Sequence, residues 1–116
     1  MKLLETQAMF ETLWTYDKND PKAHVPEGLR EDHKWIVYFT AKWCGPCRQI
    51  VVDEVDIAAE ARGFTLWKCD IDVNDYTPGY CGVRTVPTFM CFEPKKIVSV
   101  LKSNNTDEIM NWISAL

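Results

Sequence analysis

Two cysteines separated by two residues are the part of the sequence best suited to chemistry. Cys44 and Cys47 lie in the segment Trp43-Cys44-Gly45-Pro46-Cys47. Such a pair serves either thiol–disulfide exchange or metal binding. A structural zinc site needs further ligands, but the other cysteines are scattered at positions 69, 81 and 91, and His24 and His33 lie in an irregular N-terminal part. We therefore predict a redox pair, with no metal and no cofactor.

The predicted surroundings of the pair divide the chemistry between its two thiols. The pair lies between a predicted buried strand and the start of a predicted helix. Free N–H groups and the positive dipole end at a helix start stabilise a thiolate, and they draw a cysteine pKa from about 8.5 into a range of roughly 3.5 to 7.5. Cys44 is thus the predicted nucleophile at the exposed helix start. Cys47, one turn further, is the predicted shielded thiol that attacks the Cys44 sulfur in a mixed disulfide.

The elements that position the pair follow from hydrophobic patterning. The uniformly apolar run Trp35–Thr40 predicts a central strand covered on both faces. Apolar residues at helical spacing after Cys44 predict one helix of about four turns that ends at Gly63. A second strand over 64–69 completes a βαβ unit and so predicts a parallel pair. The remaining predicted elements are a helix over about 3–14, a short helix near 75–80, antiparallel strands over 88–92 and 97–101 joined by a turn at 94–96, and a closing helix that Thr106 caps.

Length and composition limit the class of protein. A chain of 116 residues with 47% hydrophobic and 26% charged residues predicts a single globular domain over 1–116 and excludes disordered, collagenous and coiled-coil proteins. A net charge of −4 without a Lys/Arg block argues against nucleic acid and anionic membranes as partners. Residues 1–10 have the pattern of neither a secretory signal nor a membrane span, so we expect a cytoplasmic protein. Residues 15–34 are predicted as a loop, with Asp20-Pro21, Pro26 and Gly28 as breakers.

Two motifs together resemble the thioredoxin family. The segment Trp43–Cys47 is similar to the active-site sequence of that family, and Val86-Pro87-Thr88 is similar to its cis-proline loop. The resemblance runs from about residue 35 to 116, whereas residues 1–34 form a divergent helix and loop. It implies the α/β thioredoxin fold, in which helices flank both faces of a central mixed sheet of four or five strands. Further residues that match the family are Lys68, Asp72, Gly82, Val83 and Arg84.

The resemblance also implies a function and partners. It implies a monomeric thiol:disulfide oxidoreductase that reduces protein disulfides through Cys44 and Cys47, with electrons from a thioredoxin reductase-type donor. Pro46 is typical of the reducing members. The family pattern further implies that Pro87 is cis and faces the pair, and that the Val86 backbone pairs with an extended substrate segment. The remaining residues of the implied substrate surface are Trp43, Gly45 and Pro46.

Three positions depart from the family pattern. Tyr38 replaces the buried Asp that accepts the proton of the resolving thiol, so we expect slow resolution of the mixed disulfide. Thr40 stands where many members have Trp, and Lys102 lies near the position where the family often has a glycine that lines the substrate groove, so we expect an unusual substrate range.

Lys68 has two readings, as a solvated strand-end charge or as a group that tunes a cysteine pKa.

The sequence leaves alternatives open. The same fold serves as a binding or scaffold module in some proteins, and as an oxidase or isomerase in others. Cys69 and Cys91 are predicted to be small buried hydrophobes. Cys81, placed in a loop beside Gly82, is read either in the same way or as a site of regulatory oxidation.

Overall fold

The protein is built around one five-stranded mixed sheet. The computed structural model describes residues 1–27 and 34–116. The strand order is β1-β3-β2-β4-β5. Strands β1 and β3 run parallel to β2, whereas β4 is antiparallel to β2 and β5 is antiparallel to β4. The strands are β1 (Lys2–Leu3), β2 (Trp35–Thr40), β3 (Thr65–Asp70), β4 (Thr88–Glu93) and β5 (Lys96–Leu101).

Helices cover both faces of the sheet, as the thioredoxin fold requires. They are α1 (Gln7–Thr15), α2 (Val52–Ala61), α3 (Tyr76–Cys81) and α4 (Thr106–Ser114). One core cluster joins α1 and α3 to the sheet through Phe10 and Trp35, and the other joins α2 and α4 through Val55 and Ile109. The predicted α/β fold is therefore confirmed.

Strand β2 lies in the centre of the sheet between β3 and β4. All six of its residues are buried, which confirms the prediction from its uniformly apolar sequence. Its alternate side chains enter the two core clusters, with Val37 on one face and Tyr38 on the other. The strand is thereby fixed on both faces, and the segment that follows Thr40 starts from a rigid position.

The N-terminus differs from its prediction. The helix predicted over 3–14 begins only at Gln7, where the Thr6 side chain caps it by accepting a hydrogen bond from the Met9 N–H. The preceding residues form strand β1, in which Leu3 pairs with Lys68 of β3. Two residues are too short for a periodic pattern, so only the sheet edge that they join reveals this strand.

The single helix predicted after Cys44 is also wrong, because it is divided in two. Pro46–Gln49 form a 3-10 helix, Ile50 and Val51 leave the helical conformation, and α2 then begins at Val52. The β-branched run at 50–52 favours extended backbone, and the freed N–H of Val51 donates to the Thr106 hydroxyl at 3.0 Å. Thr106 is consequently not the cap of α4; Asn105 is, through the Glu108 N–H.

The loop predicted over 15–34 is described only in part. Asn19 N–H and Lys22 N–H each donate to an aspartate side chain two residues earlier, Asp17 and Asp20, and this is the local turn chemistry that the sequence predicts there. Gly28 and His33, singled out in the sequence, lie outside the described residues.

Candidate functional site

Cys44 lies in the turn that leaves the central strand, and Cys47 lies in the 3-10 helix that follows this turn. Ala41 to Gly45 connect β2 to the 3-10 helix, and the Cys44 and Cys47 sulfurs are joined in a disulfide across a Cα–Cα distance of 5.3 Å. The Cys47 N–H donates to the Cys44 sulfur at 3.2 Å. This hydrogen bond is the contact that stabilises negative charge on Cys44 once the disulfide is reduced.

Exposure does not distinguish the two cysteines in this disulfide form. Cys44 is 3% exposed and Cys47 is 6% exposed, so the expectation that only Cys47 is shielded is not met here. Ile71 and Val86, from neighbouring loops, pack against the buried cluster that the two cysteines form with Ala41. The division of roles between the two thiols stays a prediction.

The loop that carries the Val-Pro motif lies beside the disulfide. The Val86-Pro87 peptide bond is cis, as the resemblance implies. The Val86 carbonyl oxygen lies 3.7 Å from the Cys44 sulfur, and Pro87 is buried next to the start of β4. The pairing of this backbone with an extended substrate segment stays a prediction.

Trp43, which precedes Cys44, gives the site an exposed aromatic side chain. Its side chain is 64% exposed, and its Nε1–H donates to Asp72 Oδ2 at 2.9 Å. This bond fixes the indole to the loop after β3, beside Ile71. Gly45, at the end of the turn, and Pro46, at the start of the 3-10 helix, are both exposed. Sequence reasoning missed Ile71, although its place one residue after a parallel strand, at the same sheet edge as the motif, is a usable signal.

Tyr38 replaces a carboxylate with a buried aromatic ring. The side chain is 2% exposed and stacks on Phe89 with ring centroids 4.6 Å apart. Burial raises the pKa of the Tyr38 phenol above its ordinary value of 10.0, and its hydrogen bond to the Thr40 side chain opposes this only in part. The phenol is therefore protonated at neutral pH and accepts no proton from a thiol there.

The other positions flagged in the sequence lie at different distances from the sulfurs. Thr40, which ends β2, is buried, and its carbonyl accepts a hydrogen bond from the Ile71 N–H at 2.9 Å. Lys68 is half-buried beside Tyr38 in the sheet register. Lys102 is exposed directly after β5. Whether Lys68 tunes a cysteine pKa stays a prediction.

The remaining cysteines are thiols in the interior. Burial raises the pKa of Cys69 to about 12, of Cys81 to about 12 and of Cys91 to about 11. Cys81 was expected in a loop, but it is the last residue of α3 and is buried. Burial favours the reading as an inert hydrophobe over regulatory oxidation, because the thiol rather than the thiolate is the stable form.

In residues 1–27 and 34–116, no group of three or more His, Cys, Asp or Glu side chains is placed to hold a metal ion. In the same part of the chain, no helix has the length and apolar character needed to cross a membrane.

Known proteins resemble this chain over most of its length. The Thioredoxin family model matches residues 16–115, which includes residues 16–34 that the motifs alone leave outside. Thioredoxin from Rickettsia conorii is 34% identical over 93 residues, which cover 76% of this chain and 86% of that protein. Thioredoxin H-type 2 from Nicotiana tabacum is 31% identical over 91 residues, or 78% of this chain and 77% of that protein. Among solved structures, Plasmodium falciparum thioredoxin shares the fold with a TM-score of 0.77 and 21% identity, covering 99% of this chain and 98% of that one.

Proposed function

Because the chain belongs to the thioredoxin family and carries that family's cysteine pair, it is a thiol–disulfide oxidoreductase, and we propose that it works as a reductase of protein disulfides. The observation that carries this proposal is the Cys44–Cys47 disulfide beside the Val86 carbonyl. The reducing direction rests on Pro46, which is typical of the reducing members.

The proposed reaction proceeds in two exchange steps. The Cys44 thiolate attacks one sulfur of the substrate disulfide, whose S–S bond breaks and releases a substrate thiolate. Cys47 then loses its proton and attacks the Cys44 sulfur of the mixed disulfide, which releases the second substrate thiol. The substrate gains two electrons and the pair becomes the Cys44–Cys47 disulfide. A reductase-type partner, or a small dithiol in the test tube, returns the pair to its reduced form.

Three features of the site support this assignment of roles. The Cys47 N–H points at the Cys44 sulfur, so a charge that develops on Cys44 has a donor at 3.2 Å. The exposed Trp43 ring and the half-buried Val86 give a substrate an apolar surface next to that sulfur.

A monomer in the cytoplasm fits the same proposal, because a reducing compartment keeps the pair supplied with electrons.

A turnover assay tests the proposal. The protein is mixed with a generic disulfide-bonded protein, with either dithiothreitol or a thioredoxin reductase as the donor, and substrate thiols are counted with time. We expect catalysis well above the donor alone, and none from the double variant Cys44→Ser, Cys47→Ser. If the double variant retains the biological activity of the parent, the domain is a binding module. If the pair oxidises dithiols in a glutathione buffer more readily than it reduces disulfides, the protein is an oxidase or isomerase.

A further inference from the structure

Three loop segments lie around the segment that carries the disulfide. Val86 and Ile71 pack against the cysteine pair from two separate loops. The fourth segment follows β5: Leu101 pairs with Phe89, and Asn104 Nδ2 donates to Gln49 Oε1 at 2.7 Å, so it lies between the cis-proline loop and the 3-10 helix. These segments are residues 41–48, 70–74, 82–88 and 101–104, and we call their shared surface the active face.

The active face carries a charge of opposite sign to the whole chain. Its carboxylates are Asp70 and Asp72. Four cations against these two carboxylates give the active face a net charge of +2, whereas the net charge of the chain is −4. All four cationic side chains are exposed: Lys42, Arg48, Arg84 and Lys102.

These cations are free to meet a partner. Within residues 1–27 and 34–116, the one ion pair joins the N-terminal amine to Asp56, away from the active face. The two carboxylates of the face are engaged otherwise, because Asp72 accepts from the Trp43 indole and Asp70 accepts from the Asp72 N–H at 2.9 Å. No cation of the face therefore has a carboxylate within ion-pairing distance in the described part of the protein.

The Arg48 guanidinium is held against the turn that carries Cys44. Its Nη2 donates to the Lys42 carbonyl at 2.7 Å, which brings the guanidinium back across the turn that contains Cys44. Arg84 lies on the other side, two residues before Val86, and Lys102 follows the Leu101–Phe89 pair. A segment that binds along Val86 thus passes positive side chains on either side of the disulfide.

We propose that the active face selects disulfides whose cysteines are flanked by acidic residues in an extended segment. This inference rests on the proposed reductase function and names its substrate class. Like charges meeting at an interface are penalised and opposite charges accelerate encounter, and both effects act within a Debye length of about 8 to 10 Å. Charge acts on the encounter before the sulfurs meet, so we expect the discrimination to fall on the first exchange step.

Three synthetic disulfide peptides test the proposal. They share one extended sequence and differ only at the residues on both sides of the cysteine, which are aspartate, serine or lysine. The pre-reduced protein, freed of its donor, is mixed with each peptide, and the single-turnover rate is followed by acid quench and mass spectrometry. At low salt we expect the aspartate peptide to react about tenfold faster than the lysine peptide, with serine between them. In 0.5 M salt the preference should shrink to about twofold or less.

Charge-reversal variants locate the effect. Arg84→Glu with Lys102→Glu should invert the order of the aspartate and lysine peptides, and the milder pair Arg84→Gln with Lys102→Gln should abolish the preference. The matched control is Lys95→Glu with Lys96→Glu, the same change of charge at the β4–β5 turn, the far end of β4 from the cysteines. It should retain the parental order. Circular dichroism establishes that each variant is folded.

The outcomes separate this inference from the function on which it rests. If the serine peptide is reduced but aspartate and lysine peptides react equally, the substrate class is wrong and the reductase function stands. If the control pair changes the preference as much as the active-face pair, net charge rather than the face decides, and the inference is overturned. If no peptide is reduced by the parent protein, the proposed function itself fails.

Discussion

Cys69 lies within a strand of the sheet, whereas Cys44 lies in a turn beyond the end of the neighbouring strand, and we expect these surroundings to give the two thiols opposite chemistry. Cys69 lies within β3, opposite Phe39 of β2, and burial raises its pKa to about 12. Cys44 lies four residues beyond the end of β2, in a turn where the Cys47 N–H reaches its sulfur. A strand interior commits its N–H groups to the sheet, whereas a turn that opens into a helix leaves them available. We therefore expect the reactivity of a cysteine in this protein to depend on where backbone donors are free, rather than on cysteine itself.

The largest expected effect is that of Cys47→Ser on the lifetime of the mixed disulfide with a substrate. The variant retains the attack by Cys44 but loses the intramolecular resolving thiol, whose effective concentration in such reactions is very large. Its mixed disulfide with a substrate protein should persist at least about a thousandfold longer than that of the parent, as followed by non-reducing electrophoresis. The control Cys81→Ser, in the interior, should resolve like the parent. A short-lived mixed disulfide in Cys47→Ser, or a long-lived one in Cys81→Ser, contradicts the contrast.

The substitution Tyr38→Asp tests whether residue 38 limits the removal of the proton from Cys47. The phenol has a pKa raised by burial and is protonated between pH 6 and 8, so it does not accept the proton of Cys47 there. A carboxylate at this position should accelerate resolution, by less than about 100-fold because water and nearby groups supply part of the effect. The rate is measured by stopped flow from a preformed mixed disulfide.

The matched control for this position is Tyr38→Phe, which keeps the ring stacked on Phe89 and removes only the hydroxyl. It should resolve at the parental rate. The aspartate variant loses a buried aromatic ring and buries a carboxylate, which destabilises the fold by several kcal/mol, so rates are compared at equal folded fraction. If the folded aspartate variant is no faster than the parent between about pH 6 and 8, another group is the base.

The smallest expected effect is a loss of folding stability at alkaline pH, and it concerns the buried thiol Cys69. The folded Cys69 pKa of about 12 lies above the unfolded value of about 9, so between these values the unfolded chain loses a proton that the folded chain keeps. Stability is thus fully present below pH 9 and falls as pH rises, by up to about 1.4 kcal/mol per pH unit for one such thiol. Urea unfolding of the reduced protein from pH 8 to 11 measures the slope. Cys69→Ala should make it shallower, whereas Leu66→Val in the same strand should lower stability without changing the slope.

Sequence patterns predicted the parts of the molecule that local periodicity determines. Strands β2 and β4 and the βαβ unit follow from apolar runs and turns, and the cysteine pair follows from its place between strand and helix. Strand β1 was missed because Lys2–Leu3 is defined only by pairing with β3. The break at Ile50 and Val51 was missed because a long-range bond to Thr106 stabilises it.

At the site too, the features that depend on distant parts of the chain could not be predicted from the sequence. The bond between Trp43 and Asp72 joins residues 29 positions apart, and no local pattern predicts it. The packing of Ile71 and Val86 against the cysteine cluster brings in two other loops, which no local pattern predicts. The resemblance located the cis Val86-Pro87 bond, which composition and periodicity alone do not indicate.

The most direct test of the contrast is the order in which the cysteines react with iodoacetamide. The fully reduced native protein is treated near pH 7 with a limiting reagent, and modified peptides are quantified by mass spectrometry against a urea-unfolded control. We expect Cys44 to be carbamidomethylated first and Cys47 much later, with Cys69, Cys81 and Cys91 unmodified until the protein unfolds. Modification of Cys47 before Cys44, or of an interior cysteine as fast as Cys44, contradicts the account.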